Sequence, residues 1–170
     1  MNILVLNGSP HANGNTSALV NAFAEGAESK KHKVTVIPVA LKKIEGCMAC
    51  EYCHTKGNGK CIQKDDMQEI YAALKTTDLL VFASPVYYWS WSGQLQSVVS
   101  RFYPMGPVKV KKCALLLSSA GADVYDAPIS QYRSMLRYFG AEDVGIYTCH
   151  GEENKSEKAL AQVREFGASL

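Results

Sequence analysis

Apolar residues along the chain follow two alternating patterns, one continuous and one with helical spacing. The continuous apolar runs predict five buried strands, at Met1–Leu6, Lys33–Val39, Asp78–Ser84, Cys113–Ser119 and Val144–Cys149. The helical spacing predicts a helix after each strand, at Thr16–Lys30, Asp65–Thr76, Gly93–Tyr103, Ala127–Phe139 and Lys155–Ala168. This alternation predicts an α/β fold with a five-stranded parallel sheet, in strand order 2-1-3-4-5, covered by helices on both faces.

The chain shows no internal repeat and no low-complexity linker. We therefore expect residues 1–170 to form one domain, in which residues 41–64 are a cysteine-containing loop insertion. Asp65 is a plausible N-cap of the second helix, and Gln68 three residues later could complete a capping box. Ligands of such sheets bind beyond the carboxyl ends of the strands, so the informative loops should follow strands one, three and four.

Composition and charge exclude several kinds of partner. Hydrophobic residues make up 47% and charged residues 20% of the chain, and the net charge is only +2. This charge gives no reason to expect nucleic-acid or membrane-surface binding. No basic segment precedes a signal-like apolar stretch, and no apolar run reaches the roughly 20 residues of a membrane span. These features predict a cytoplasmic protein.

The loop after the first strand has the chemistry of an anion site. Residues 7–17 are rich in Asn, Gly, Ser and Thr and lead directly into a helix, whose first amide groups favour a phosphate. The glycine spacing fits neither a Walker loop nor a Rossmann loop, and no Lys or Arg occurs before Lys30. Neutral groups would therefore hold a terminal monophosphate. The alternative is an ordinary polar turn that caps the helix.

Two further loops suit a flat ligand. Residues 84–93 contain four aromatic residues in five positions, a composition that fits a planar heterocycle with hydroxyl and amide groups beside it. The alternative is an aromatic cluster that packs under a loop or forms an oligomer contact. Residues 118–123 are mostly small, which would let the backbone approach a ligand closely.

Taken together, these motifs resemble the NAD(P)H-dependent FMN reductase and flavodoxin-like group, in particular its iron–sulfur flavoprotein branch. The matching pieces are Gly8-Ser9-Pro10, Gly14-Asn15-Thr16-Ser17, Asp65-Asp66-Met67, Ser84-Pro85-Val86-Tyr87 and Arg101. The similarity is strong over residues 1–101 and weak after Gly121. One departure is Ser100, where many members carry Asp before the Arg, which weakens any role assigned to this pair.

The resemblance implies a flavodoxin-like three-layer sandwich that binds FMN and takes electrons from NAD(P)H. It places the FMN phosphate on Ser9, His11, Asn15, Thr16 and Ser17. It places the ring against Pro85, Val86, Tyr87, Tyr88 and Trp89, with its far edge near Ala120 and Gly121. Asn13, Gly93 and Ser119 complete the predicted cofactor-binding set. It also implies a homodimer or homotetramer. No triad or paired carboxylate identifies a catalytic residue, because the flavin itself carries the chemistry.

Four of the six cysteines lie close together, at Cys47, Cys50, Cys53 and Cys61. Four thiolates at this spacing could hold a [4Fe-4S] cluster, and the spacing resembles the compact motif of iron–sulfur flavoproteins. A zinc ion with His54 and a set of reduced thiols without metal are the alternatives. Cys113 and Cys149 lie in apolar strand-like runs and are expected to be inert core thiols.

Three functional hypotheses follow. The first is an NAD(P)H-dependent FMN oxidoreductase that reduces a quinone, a flavin or another small acceptor. The second is an iron–sulfur flavoprotein that carries electrons to or from a ferredoxin-like protein. The third is a flavin-free interaction or thiol-redox module.

Overall fold

A computed structural model describes residues 1–170. Its six strands are β1 (Asn2–Asn7), β2 (Lys33–Pro38), β3 (Leu79–Tyr87), β4 (Ser90–Trp91), β5 (Lys112–Ser119) and β6 (Glu142–His150). Its five α-helices are α1 (Asn15–Ser29), α2 (Met67–Leu74), α3 (Gly93–Ser100), α4 (Asp126–Phe139) and α5 (Glu157–Ala168). Each predicted element is therefore present, with ends that differ by a few residues.

The five long strands form a parallel sheet in the order β2-β1-β3-β5-β6. This is the predicted order, because β5 and β6 are the fourth and fifth long strands along the chain. The sixth strand, β4, was not predicted. It pairs antiparallel with the end of β3 through Val86↔Trp91 and Tyr87↔Ser90. A two-residue strand is too short to show a repeating pattern in the sequence.

Side chains on alternate strand positions pack into two cores, one on each face of the sheet. Leu4 and Leu6 of β1 belong to the core under α2, α3 and α4, whereas Ile3 and Val5 belong to the core under α1 and α5. The helices α1 and α5 approach closely, because a Cβ atom placed on Gly167 would lie 2.2 Å from Phe23 O. The fold is thus the three-layer sandwich that the sequence predicts.

Several helix ends differ from the prediction for local reasons. The helix α3 ends at Ser100, and a 3-10 turn at Tyr103–Met105 follows, with Pro104 inside it. A second 3-10 turn at Gly151–Lys155 delays the start of α5 to Glu157.

The capping box predicted for α2 is wrong. Asp66 occupies the N-cap position, although Asp65 Oδ1 does accept a hydrogen bond from Met67 N at 3.2 Å. With the N-cap at Asp66, Gln68 is the second residue of α2 and not the third, which a capping box requires, and its Nε2 donates to Gln63 O instead.

We call residues 41–64 the cysteine segment. Apart from the end of a 3-10 turn at Val39–Leu41, its only regular structure is a 3-10 turn at Tyr52–His54.

As predicted, Cys113 and Cys149 are buried in the sheet, and burial raises the pKa of the Cys113 thiol to about 12. None of the helices combines the length and the hydropathy that a membrane crossing requires.

Candidate functional site

A polar cavity of about 440 Å³ opens at the carboxyl edge of the sheet. Such a volume lies within the range of roughly 300–1,000 Å³ that small-ligand sites occupy. No Lys, Arg, Asp or Glu side chain lines it. The lining residues are Ser9, His11, Gly14, Asn15, Thr16, Pro85, Val86, Tyr87, Ser118, Ser119, Ala120, Gly151 and Asn154. They come from the loop after β1 and from the carboxyl ends of β3 and β5 with the loop after β5, close to the predicted positions, and also from the loop after β6.

The loop after β1 is held in shape by hydrogen bonds among its own polar side chains. Asn7 Oδ1 accepts from Ser9 N at 3.0 Å, and Asn7 Nδ2 donates to Ser17 Oγ at 3.1 Å. Ser17 Oγ in turn donates to His11 O at 3.0 Å. Because Asn7 and Ser17 are buried beneath the loop, they fix its path while leaving its outer face open.

The amino end of α1 points its backbone donors toward this cavity. Gly14 occupies the N-cap position and offers no side chain to cap the helix, and the first turn carries no acidic residue. By contrast, α3 and α5 are capped by Ser92 and Ser156. The first amide groups of α1 therefore have no intrahelical partner, and the positive end of the helix dipole lies beside them. This arrangement suits a phosphate.

The opposite wall is built from the end of β3. Pro85, Val86 and Tyr87 line the cavity, and the tight turn to β4 places Tyr88 and Trp89 beyond it. Both turn residues have left-handed backbone angles, with φ of 51° and 60°. Tyr88 is 93% exposed, and the Trp89 indole donates to Asp123 O at 3.2 Å. The aromatic side chains thus stand at the mouth of the cavity.

The end of β5 and the loop after it contribute hydroxyl groups and a partly buried tyrosine. Ser118 Oγ lies 2.7 Å from Thr16 Oγ1, which joins this loop to the start of α1. Ser119 Oγ lies 2.6 Å from Tyr125 Oη, and Tyr125 donates to Cys149 O at 2.7 Å. Burial raises the pKa of Tyr125, so its hydroxyl keeps the proton that this hydrogen bond needs. The network fixes the floor of the cavity.

The loop after β6 was missed at the sequence level. Asn154 is buried, and its amide donates to Ser119 O at 2.8 Å and to Gly151 O at 2.9 Å, while its Oδ1 has no partner. The next residue, Lys155, donates from Nζ to Asn13 O and so brings a cation to the loop after β1. Ligands of such sheets bind at the carboxyl edge, and the loop after β6 also lies at that edge. The same rule could therefore have predicted that this loop contributes to the site.

The structure brings nine of the fifteen predicted cofactor-binding residues around the cavity. They are Ser9, His11, Asn15, Thr16, Pro85, Val86, Tyr87, Ser119 and Ala120. The other six do not line it. They are Asn13, Ser17, Tyr88, Trp89, Gly93 and Gly121. Gly93 is the first residue of α3, and a Cβ atom on either Gly93 or Gly121 would meet nothing within 4 Å.

The predicted metal ligands are not gathered into a metal site. No group of three or more His, Cys, Asp or Glu side chains is placed to hold a metal ion. Cys47 and Cys50 are exposed, Cys61 is partly buried, and only Cys53 is buried. In this conformation the cysteine segment therefore does not fit a [4Fe-4S] cluster or a zinc ion, and none of its residues lines the polar cavity.

A second cavity of about 450 Å³ lies between α3, α4 and the cysteine segment, and aromatic side chains line most of it. Its volume is about the same as that of the polar cavity, but no residue from the carboxyl ends of β1, β3, β5 and β6 or from the loops after them lines it. We therefore assign the functional site to the polar cavity.

The sequence of the chain matches one known protein family over most of its length. The family model of NADPH-dependent FMN reductases matches residues 1–154. The chain belongs to this family. The match covers all four loops of the polar cavity, and it confirms the family that the sequence motifs resemble. An FMN cofactor suits the uncapped helix and the apolar wall of Pro85, Val86 and Tyr87 described above.

Two of the curated relatives are named iron–sulfur flavoproteins. An iron–sulfur flavoprotein of Archaeoglobus fulgidus is 30% identical over 141 residues, which cover 81% of this chain and 63% of the relative. An iron–sulfur flavoprotein of Methanocaldococcus jannaschii is 37% identical over 101 residues, covering 59% of this chain and 50% of the relative. The chain thus spans between half and two thirds of the length of these relatives.

Solved structures agree on the fold. The NAD(P)H:quinone oxidoreductase from Methanothermobacter marburgensis superposes with a TM-score of 0.79 at 17% identity, covering 100% of this chain and 96% of that one. An FMN-dependent NADH-azoreductase from Bacillus anthracis, solved with FMN, gives a TM-score of 0.76 at 15% identity, with coverage of 100% and 99%. These similarities establish the flavodoxin-like architecture.

Proposed function

We propose that the chain binds FMN in the polar cavity and acts as an NAD(P)H-dependent oxidoreductase that reduces a quinone, a flavin or another small acceptor. The observation that carries this proposal is the uncapped amino end of α1, which opens on a cavity whose opposite wall is formed by Pro85, Val86 and Tyr87. The two features match the two ends of FMN, a phosphate and a flat ring. Membership of the NADPH-dependent FMN reductase family supports the same ligand.

In this proposal the residues after β1 bind the phosphate. The backbone amides at the start of α1 donate to it, and the Ser9 and Thr16 hydroxyls lie on the cavity wall beside them. Since no Lys, Arg, Asp or Glu side chain lines the cavity, the helix dipole and Lys155 supply the positive potential. The site is thereby specific for one terminal monophosphate rather than for a triphosphate with magnesium.

The residues after β3 and β5 hold the ring. Pro85, Val86 and Tyr87 form the wall against which the ring lies, and Ser119 and Ala120 approach its far edge. FMN, when bound, supplies the electron-transfer chemistry. The protein orients the ring and leaves one side of the cavity open toward Tyr88 and Trp89, where a nicotinamide or an acceptor can enter.

A second candidate function is supported by the names of the curated relatives. Several are iron–sulfur flavoproteins, and this chain carries four cysteines at close spacing. As an alternative, the chain would exchange electrons with a ferredoxin-like protein. This alternative requires the cysteine segment to adopt a conformation that gathers its thiols.

We also propose that the protein works as a homodimer or homotetramer in the cytoplasm. The exposed Tyr88 and Trp89 side chains at the mouth of the cavity support a subunit contact, because large exposed aromatic residues are common at interfaces. Sedimentation equilibrium of the purified protein tests this proposal, and a monomer at micromolar concentration would contradict it.

One sample can test the main proposal and its alternative. Protein purified without oxygen is examined by absorption spectroscopy and assayed for iron and sulfide, and then for oxidation of NADH and NADPH with a quinone or free flavin. Flavin bands with turnover and no iron support the oxidoreductase. Flavin bands over an iron–thiolate background, without nicotinamide turnover, support the electron carrier. Protein that neither contains nor binds FMN would contradict both and favour the flavin-free module.

A further inference from the structure

Both flanks of the cysteine segment meet one buried side chain at the end of α3. Arg101 is 0% exposed, and its Nη1 donates to Glu45 O at 2.9 Å and to Asp65 Oδ2 at 2.7 Å. Its Nη2 donates to Asp65 Oδ1 at 3.1 Å. Glu45 precedes the first cysteine of the segment, and Asp65 follows the last one. A single guanidinium therefore joins the two ends of the segment.

Neighbouring contacts reinforce this junction. Ser100 Oγ accepts a hydrogen bond from Cys47 N at 3.0 Å, so the residue that departs from the family pattern also holds the segment. Gln63 Nε2 donates to Gly46 O at 3.1 Å and ties the two flanks to each other. On the other side, Tyr71 donates to Arg101 O at 2.6 Å and fixes the end of α3 to α2.

Between these flanks, residues 51–60 are held by hydrogen bonds among themselves, for example Gly57 N to Tyr52 O at 2.7 Å and Gly59 N to Cys53 O at 2.8 Å. Ala49, Glu51 and Asn58 have left-handed backbone angles, with φ of 51°, 57° and 47°, which non-glycine residues adopt at a cost. The contacts of this region with the rest of the protein include the hydrogen bond of Tyr103 to Glu51 Oε1 and the packing of His54 against the Tyr103 ring. These internal hydrogen bonds fix the local shape of the turn, whereas the junction at Arg101 ties its two flanks to the rest of the protein.

We propose that Arg101, assisted by Ser100, is the positioning residue of the cysteine segment. The planar guanidinium reaches two carboxylate oxygens and a carbonyl oxygen at once, which the single ammonium of a lysine cannot do with the same geometry. Arg101 does not line the polar cavity, so this role is separate from FMN binding. The proposed role of Arg101 is to hold the four thiols of the cysteine segment in one defined arrangement. This role does not depend on what the thiols bind.

Cysteine alkylation in the whole protein tests the proposal. Cys53 is the informative thiol because it is the buried one of the segment, at 8% exposed, whereas Cys113 and Cys149 report on the sheet. Arg101→Lys should accelerate iodoacetamide labelling of Cys53 by about tenfold or more, through local opening of the segment. Labelling of Cys113 and Cys149, read from the same peptide maps, should stay slow, and FMN affinity should stay unchanged.

The matched control is Arg164→Lys, since Arg164 also forms a two-nitrogen pair with a carboxylate, Glu25, but on an exposed surface. It should leave the Cys53 rate unchanged. Ser100→Ala, which removes only the contact to Cys47, should give a smaller acceleration than Arg101→Lys. If Arg101→Lys fails to fold, Asp65→Asn replaces it with the same expected result.

Two outcomes would overturn the proposal. In the first, Cys53 is labelled as slowly in the Arg101 or Asp65 variant as in the unchanged protein, so the segment does not depend on this junction. In the second, labelling of Cys113 and Cys149 is accelerated by the same factor as labelling of Cys53, so Arg101 stabilises the whole fold and has no separate effect on the segment.

Discussion

Thr16 and Ser118 lie 102 residues apart along the chain, and their hydroxyl oxygens lie 2.7 Å apart at the carboxyl edge of the sheet. Both side chains are buried, and both residues line the polar cavity. This contact joins the proposed phosphate loop to the proposed ring site. Movement of either loop would therefore change the shape of the other half of the cavity.

Thr16→Ala should weaken FMN binding by about 1.5–3 kcal/mol, the usual value of a hydrogen bond to a charged group, or roughly tenfold to 150-fold in Kd. Fluorescence titration of the flavin-free protein with FMN measures the change. Thr76→Ala is the control, because Thr76 is exposed and lies far from the cavity lining. Unchanged FMN affinity in Thr16→Ala would refute the phosphate site.

Ser17→Ala should act differently, although Ser17 is the next residue. Its hydroxyl accepts from Asn7 and donates to His11 O, so its loss leaves buried polar groups unpaired beneath the loop. We expect a loss of stability of about 1–3 kcal/mol together with weaker FMN binding. Urea unfolding of the flavin-free protein separates the two effects. Weaker binding with unchanged stability would show that Ser17 contacts the ligand directly.

Lys155→Gln should weaken binding of FMN more than binding of riboflavin, which lacks the phosphate. The Lys155 ammonium reaches Asn13 O in a loop that has no Lys or Arg of its own. For an exposed charge we expect a loss of up to about 1 kcal/mol, or roughly fivefold, that disappears at high salt.

Lys158→Gln provides the charge-matched control for this change, since Lys158 is an exposed residue of α5 that does not line the polar cavity. An equal loss for FMN and riboflavin in Lys155→Gln would mean that Lys155 shapes the loop and does not act on the phosphate.

The Asp65–Arg101 pair should make stability depend on pH in the acid range. Burial acts to raise the pKa of Asp65, but the hydrogen bonds and charge of Arg101 act against it, and the pKa of this carboxyl is lowered. A group whose pKa is lowered by folding stabilises the protein above its unfolded pKa of about 4 and loses that contribution as pH falls through the folded value.

The difference in unfolding free energy between the unchanged protein and Asp65→Asn should therefore be large at pH 7 and shrink below pH 4. Urea titrations at several pH values measure it. A difference that stays constant from pH 7 down to pH 2.5 would show that the charge of Asp65 does not contribute.

Gly167→Ala should destabilise the fold without changing FMN affinity. The added Cβ would lie 2.2 Å from Phe23 O and 2.9 Å from Ala27 N, where α5 crosses α1. Overpacking of this kind costs about 1–3 kcal/mol, and backbone atoms cannot move aside as a flexible side chain can. Gly93→Ala is the control, because its Cβ would enter open space. Thermal unfolding of both variants checks the prediction, which fails if the two melting temperatures agree.

Much of the fold could be predicted from the sequence, because the apolar pattern follows directly from burial. The runs at Leu79–Ala83 and Cys113–Leu117 are almost wholly buried in the sheet, and a strand covered on both faces needs such runs. The short strand β4 and the 3-10 turn at Gly151–Lys155 carry no such pattern. They are stabilised by contacts with distant elements and could not be read from local spacing.

Part of the candidate site could also be predicted from the sequence. Polar and small residues after β1, β3 and β5 identify loops at one sheet edge, because parallel strands all end there. The sequence could not show that the side chain of Ser17 lies under its loop, or that Asn154 reaches Ser119 O. Such contacts depend on the three-dimensional paths of two separate loops.

By itself, then, the sequence determined the order of strands and helices, the family, and the polar and aromatic loops that can bind a flavin. Only the tertiary structure decided that Lys155 approaches the phosphate loop and that Arg101 joins Glu45 to Asp65. The physical reason is the separation along the chain of the residues that interact. Burial patterns and loop composition act between near neighbours in the chain, whereas a hydrogen bond between residues 36 or 142 positions apart exists only after the sheet has brought them together.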